Sequence, residues 1–109
     1  MPEYKKLRIE EIIGSGRKYT GKGIETKGII KEEKLEGILA KFRRPRIFIE
    51  DKDGNRIMLK VVEKGDTELH YKTLLERMEE AKQGDTEKTV LGELTKRKPY
   101  TLKVDNVYS

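Results

Sequence analysis

Two short segments of the chain combine cations with aromatic rings. The first, Lys41-Phe-Arg-Arg-Pro-Arg-Ile-Phe48, holds four cations, two phenylalanines and no anion. The second, Lys96-Arg-Lys-Pro-Tyr100, holds three cations and a tyrosine. Cations attract phosphates and release the counterions around them, while aromatic rings stack on bases. These residue types at this spacing predict contact with nucleic acid rather than a covalent reaction.

The charge balance supports this concentration of positive charge. The 109 residues include 25 lysines and arginines and 20 acidic residues, which gives a net charge of +5 and a pI near 9.3. Seven of the cations lie in the two segments, so the remainder of the chain has a net charge of −2. Charged turns that simply solvate a small domain are the alternative interpretation, and a surface that binds protein is another.

Two loop motifs resemble nucleotide and metal sites only in part. Gly16–Lys22 matches the first seven positions of a phosphate-binding P-loop, but Gly23 stands where the magnesium-binding hydroxyl is required. Asp51-Lys-Asp-Gly-Asn55 places its glycine at position four rather than at position six of a calcium loop. We therefore interpret the first motif as a basic loop and the second as a hairpin turn.

The sequence offers little material for catalysis. It contains no cysteine, which excludes disulfides, thiolate metal sites and a thiol nucleophile. His70 is the single histidine, and nothing in the pattern brings Ser15 or Ser109 to it. We predict that the protein is not an enzyme and that it needs no cofactor, no metal and no small-molecule substrate.

Length and composition set the class of protein. A chain of 109 residues suffices for one domain, and no run approaches 18 apolar residues, so we expect no membrane span. The first residues lack the apolar stretch of a secretory signal, and we expect a cytoplasmic protein. Abundant lysine and glutamate with few amide side chains are typical of thermophilic proteins.

Hydrophobic periodicity predicts five strands and one helix. Alternation predicts a strand over 24–31, in which Gly28 indicates a bulge or sharp bend. Residues 46–63 predict a hairpin with Ile47, Ile49, Ile57, Leu59 and Val61 on one face and Arg46, Phe48, Arg56, Met58 and Lys60 on the other. Helical spacing follows over 66–83 and predicts one apolar face, formed by Tyr71, Leu74, Leu75, Met78 and Ala81. Two further strands cover 89–94 and 100–104. Residues 7–13 and 32–45 have no clear period.

This order, with the helix between the third and fourth strands, is that of the OB-fold barrel. Tyr19–Ile30 resembles the first OB strand, Ile49–Leu59 resembles the second hairpin, and Gln83-Gly-Asp followed by Val90–Leu94 resembles the fourth strand. The chain thus resembles OB-fold nucleic-acid-binding domains over roughly residues 19–107. The fold class expected is mainly β, a five-stranded Greek-key barrel with one helix between strands 3 and 4. Residues 1–18 are expected to form an N-terminal extension that packs on the OB domain at 19–109.

The resemblance implies a binding face on strands two and three, bordered by the loops that join strands one to two and four to five. The predicted function is non-catalytic binding of single-stranded DNA or RNA. Predicted binding residues are the cations and rings of both segments and of the hairpin: Lys41, Phe42, Arg43, Arg44, Arg46, Phe48, Arg56, Lys60, Lys96, Arg97, Lys98 and Tyr100. Phe48 and Tyr100 are the expected stacking residues, although a one-residue slip in register would bury Phe48.

The chain departs from many single-strand binders in having no tryptophan and in placing Met58 and Lys60 on the third strand. An alternative function is therefore an OB subunit or adaptor that binds protein in a larger nucleic-acid-processing complex, with Leu35–Phe42 as its contact. A third interpretation, an appended module that acts on tRNA within a larger enzyme, also stays open.

Overall fold

A computed structural model describes residues 3–33, 36–37, 46–61, 68–95 and 100–108, with the backbone alone at 68–70. Six strands alternate with two α-helices and one turn of 3₁₀ helix. In chain order the elements are β1 (Tyr4–Lys6), α1 (Ile9–Ser15), the 3₁₀ helix (Gly16–Tyr19), β2 (Gly23–Glu33), β3 (Arg46–Glu50), β4 (Arg56–Lys60), α2 (Glu68–Lys82), β5 (Lys88–Leu94) and β6 (Thr101–Tyr108).

Five of the strands close into a ring. The sheet order is β1-β2-β3-β4-β6-β5, and β5 pairs again with β2. Every neighbouring pair in the ring is antiparallel except β4 and β6, which run parallel. The short β1 lies outside the ring and pairs in parallel with the start of β2. Closure removes the exposed strand edges that an open sheet would present.

Gly28 marks the corner at which β2 changes partners. Residues up to Gly28 pair with β5, and residues from Ile29 onward pair with β3. A Cβ built on Gly28 would lie 2.6 Å from the carbonyl oxygen of Glu50, so the backbones approach too closely for any side chain. The glycine is therefore required by backbone contact at a barrel corner, as the bend expected from the sequence implies.

The β3–β4 hairpin has the expected register. Ile47 pairs with Leu59 and Ile49 pairs with Ile57, so these four apolar residues share the inner face. At the turn, Asp51 Oδ1 accepts hydrogen bonds from the backbone amides of Asp53 and Asn55, both at 2.9 Å. Gly54 takes a φ of +83°, a conformation that glycine adopts without strain. Local turn chemistry thus fixes which face of each strand is buried.

The core fills the ring and extends beneath the N-terminal segment. Leu7, Ile9 and Ile12 are buried in the same cluster as strand residues such as Ile24 and Leu102. The α1 helix begins after Arg8, whose backbone amide donates to Glu11 Oε1 at 3.2 Å. From α2, the cluster takes Leu74, Met78 and Ala81. The helical spacing predicted for this element therefore identified its buried face, although Leu75 remains 37% exposed.

The mainly β prediction is confirmed, and details of strand count and helix position differ. The sheet has six strands rather than five, because β1 pairs with β2 at the edge of the sheet. A strand of three residues is too short to show a hydrophobic period in the sequence. The long helix lies between the fourth and fifth strands of the chain, which are the third and fourth members of the ring, and α1 is an additional helix. The division at residue 18 stays a prediction, and most of 32–45 lies outside the described residues.

Candidate functional site on the outer face of the barrel

Five of the twelve predicted binding residues lie within the described part of the chain. They are Arg46, Phe48, Arg56, Lys60 and Tyr100, from β3, β4 and the residue before β6. The other seven lie outside the described residues: Lys41, Phe42, Arg43, Arg44, Lys96, Arg97 and Lys98.

Three cations line up across neighbouring strands at one end of the hairpin. Lys60 pairs directly with Lys103 of β6, and Arg46 lies one step beyond the Ile47–Leu59 pair, beside Lys60. Their neighbours Ile47, Leu59 and Leu102 belong to or pack on the core, so alternation places the three cations on the outer face. We call Arg46, Lys60 and Lys103 the basic row.

The members of the basic row are not ion-paired within the described residues, although a carboxylate stands opposite each end of the row: Glu33 pairs across strands with Arg46, and Glu93 with Lys103. Like charges placed directly opposite each other on adjacent strands repel, and Lys60 and Lys103 are such a pair. An anion bound between them would relieve this repulsion. The row is therefore a candidate site for a negatively charged ligand.

Farther along the same face the cations are neutralised. Lys31 Nζ lies 3.2 Å from Glu50 Oε1, and Arg56 Nη1 lies 3.5 Å from Glu33 Oε2. Both pairs are exposed enough for water to screen them, so each contributes little to stability. They do reduce the positive potential around Arg56. Among the described cations of β3, β4 and β6, those of the basic row are the ones that form no ion pair.

Phe48 lies on the outer face, but its ring is covered. It pairs with Met58 across the strands and is only 8% exposed. The guanidinium carbon of Arg56 lies 4.3 Å from the ring centroid, which is a cation–π contact. A base can stack on Phe48 only if Arg56 moves. The predicted face of Phe48 is thus the observed one, while its free ring surface is not present in this structure.

Tyr100 packs inward instead of facing the open surface. It is half-buried against the core cluster, and a Cβ built on Gly16 would lie 2.5 Å from Tyr100 Cζ. The ring therefore lies on the bare backbone of Gly16 at the start of the 3₁₀ helix. In the sequence, Tyr100 follows a basic segment. Its contact with Gly16 could not be predicted from that context, because the two residues are far apart in the chain. The structure accordingly gives no support for stacking by Tyr100.

A groove of about 930 Å³ opens at the end of the barrel that carries the basic row. Arg46, Lys60 and Lys103 line it together with Met58 and Thr101. Apolar side chains of α2 line the opposite wall, among them the partly exposed Leu75. Lys82 is held within it by Glu32 and Glu79, each at 2.6 Å, so that lysine is already paired. The groove combines unpaired cations on one wall with apolar surface on the other.

The two predicted basic segments join the barrel at this same end. Residues 34–45 connect Glu33 to Arg46, which pair with each other across β2 and β3. Residues 95–100 lead into Thr101, which pairs with Met58 of β4. The chain therefore enters and leaves both segments within one or two residue steps of the basic row.

Two cations of this face were not predicted from the sequence. Lys31 comes from β2 and Lys103 from β6, and each belongs to an alternating strand in which outward lysines are common. The sequence does not show that either lysine lies near the predicted binding residues. That follows only from strand pairing, which places Lys31 beside β3 and Lys103 beside β4. The alternation of Leu102 and Val104 does indicate that Lys103 faces outward, which is the one local signal available.

Metal and membrane features are not found in the described regions. Among those residues no cluster of three histidine, aspartate or glutamate side chains could hold a metal ion. Neither helix, over its described length, has the size and apolar character of a membrane span.

No protein-family model matches the sequence, and no curated protein matches it. Solved structures do match in fold. The chain aligns over 99% of its length with a putative aspartyl-tRNA synthetase from Leishmania major Friedlin, with a TM-score of 0.64 and 11% identity. It spans 21% of that synthetase chain.

Two OBodies, AM3L09 and AM3L15, each bound to hen egg-white lysozyme, align over 99% of this chain and 95% of their own. Their TM-scores are 0.64 and 0.65, with identities of 13% and 14%. The protein has an OB-like fold. At these identities the likeness concerns the fold alone.

Proposed function

We propose that the protein binds single-stranded nucleic acid, without catalysis, through the outer face of β3, β4 and β6. The observation that carries the proposal is the basic row: three adjacent cations, unpaired among the described residues, one pair of them directly opposed. Phosphates are the anions that such a row suits, because each can accept from two neighbouring cations. The cations of segments 41–46 and 96–98 are proposed to extend this surface on either side.

The bases are proposed to contact the apolar part of the same region. Met58 is half-buried beside Phe48, and the groove wall formed by α2 exposes Leu75. Because the Phe48 ring is covered by Arg56, the phosphate contacts would supply most of the affinity. Affinity is therefore expected to fall steeply as salt rises. The likeness in fold to part of a putative aspartyl-tRNA synthetase is compatible with this proposal.

A titration with a fluorescent single-stranded oligonucleotide, followed by anisotropy at two salt concentrations, tests the proposal. The double variant Arg46→Glu, Lys60→Glu is expected to weaken binding about a hundredfold and to lower the slope of log affinity against log salt by about 1.4. The matched control is Lys27→Glu, Lys52→Glu, which changes the net charge equally at exposed residues outside the basic row. No binding by the wild type at low salt would refute the function. Equal losses in both variants would refute the site.

Protein binding is the second candidate function. The two OBodies share this fold and are bound to hen egg-white lysozyme in their solved structures, so a barrel of this shape can present a protein-binding surface. In that case the apolar wall of the groove would make the principal contact. Leu75→Asp would then abolish partner binding, whereas under the nucleic-acid proposal it would only weaken oligonucleotide binding, because phosphate contacts supply most of that affinity. A cytoplasmic location and a thermophilic source also stay proposals.

A further inference from the structure

A second groove, of about 630 Å³, lies at the opposite end of the β3–β4 hairpin. Four parts of the chain form it: the β1–α1 junction, the middle of β2, the hairpin turn, and the loop before β5. Its apolar lining includes the buried Leu7 and Ile9 and the half-buried Ile29. The groove is therefore apolar in part and is assembled from separate segments.

Carboxylates dominate the rim of this groove. Eight acidic residues line it against four cations, although the whole chain carries a net positive charge. Some carboxylates are occupied: Glu25 lies 3.9 Å from Lys6, and Glu50 pairs with Lys31. Others form no ion pair with any described residue, and all of these are exposed: Glu10, Asp53, Asp85 and Glu87.

The groove wall also contains an unsatisfied hydroxyl. Thr26 lines the groove and is only 2% exposed, and its Oγ1 has no hydrogen-bond partner among the described residues. Leaving a buried hydroxyl unpaired costs free energy. The wall thus holds a polar group in addition to the charged rim.

We propose that this acidic groove docks an extended protein segment in which lysine or arginine residues alternate with apolar ones. Cations of the segment would meet the four unpaired carboxylates, and its apolar residues would pack on Ile29, whose side chain is still partly exposed in the groove. A compact cation fits less well, because the unpaired carboxylates come from three separate parts of the chain and form no metal cluster among the described residues. Nucleic acid is repelled by the rim. The docking surface is therefore distinct from the basic row.

An NMR titration of the full-length, ¹⁵N-labelled protein tests the inference at low salt. The probe is an acetylated and amidated octapeptide of alternating lysine and valine. Amide shifts are expected at residues 27–29, 51–53 and 85–87, with Arg46 and Lys60 unmoved. Absence of shifts up to millimolar peptide, or shifts centred on the basic row, would overturn the proposal.

A matched pair of variants separates the groove from general charge. Asp53→Asn, Asp85→Asn, Glu87→Gln is expected to weaken peptide binding about tenfold, since three exposed, screened carboxylates are lost. The control Glu76→Gln, Glu80→Gln, Glu93→Gln makes the same change in net charge at exposed sites outside the groove and should leave affinity unaltered. Equal weakening in both variants would refute the site.

Self-association is the remaining outcome to separate. Sedimentation that shows a dimer of the wild type at low salt, lost in the groove variant, together with no peptide binding, would assign the groove to a second copy and refute a separate partner. The oligonucleotide titration of the groove variant is expected to match the wild type. A failed peptide titration would therefore not refute nucleic-acid binding, and a failed oligonucleotide titration would not refute peptide docking.

Discussion

The two ends of the β3–β4 hairpin carry opposite charge although the same strands connect them. At the open end, Arg46 and Lys60 stand beside Lys103, and none of the three forms an ion pair with another described residue. At the turn, Asp51 and Asp53 border a groove in which acidic side chains outnumber cations two to one. Strands of five residues place the two ends only about 13 Å apart. The net charge of +5 is therefore distributed unevenly along this hairpin, with cations at the open end and carboxylates at the turn.

The two ends also differ in how they are held. Asp51 is bound by the turn itself, through hydrogen bonds from backbone amides and from Asn55 Nδ2 at 3.0 Å. The open end has no such local network among the described residues, and its cations meet only through pairing of β3, β4 and β6. The acidic end is thus fixed largely by local sequence at the turn, and the basic end by the closure of the ring.

The largest expected effect is on stability and concerns the barrel corner at Gly28. Gly28→Ala would place a Cβ 2.6 Å from the Glu50 carbonyl oxygen, which must move and disturb the β2–β3 pairing. We expect the free energy of unfolding to fall by about 2–3 kcal/mol in urea denaturation. The control Gly14→Ala introduces a methyl group into open space in α1 and should be neutral or slightly stabilising. Similar losses in both variants would contradict the close approach at Gly28.

The next effect concerns the turn and depends on pH. Desolvation acts to raise the pKa of Asp51, but hydrogen bonds from Asn55, Asp53 and Gly54 outweigh it, so the pKa lies below its ordinary value. Asp51→Ala is expected to cost about 1–2 kcal/mol near neutral pH by removing these bonds.

Because the native carboxylate holds its proton less tightly than the unfolded one, this stabilisation is fully present above the ordinary pKa of 3.8. It is lost as the pH falls through the lower native value. Urea titrations of both proteins between pH 7 and pH 2 should show their difference shrinking below about pH 4. A difference that stays constant down to pH 2 would contradict the role of the ionised carboxylate.

The smallest effect distinguishes the electrostatics of the two ends most directly. Lys60→Met removes a like charge opposite Lys103 and should raise the stability of the free protein by about 0.3–0.5 kcal/mol at low salt. The same substitution at Lys27, an exposed strand lysine in the acidic groove, should lower stability by a similar amount. Both changes should shrink in 1 M salt. Thermal unfolding of the wild type and the two variants measures these changes in stability. If both substitutions change stability in the same direction, the charge difference between the two ends is disproved.

Much of the local architecture follows from the sequence. Alternation over 46–51 and 56–61 around an Asp-Gly-Asn turn predicted the hairpin and its register, and Gly28 marked the bend in β2. Helical spacing identified Leu74, Met78 and Ala81 as buried. These predictions succeeded because side-chain period and turn chemistry act over a few residues. Residues 7–13 lacked a clear period because α1 has only seven residues, and its place in the core depends on contacts with distant strands.

The sequence by itself determined the five strands of the ring, the long helix, the excess of positive charge and its two dense segments. Tertiary structure alone decided which charges became neighbours. Lys103 stands beside Lys60 because β6 pairs in parallel with β4, Arg56 covers Phe48, and four distant segments assemble the acidic groove. The physical reason is that hydrophobic period encodes the face that a residue takes, whereas ring closure, driven by burial of the whole core, selects its partners.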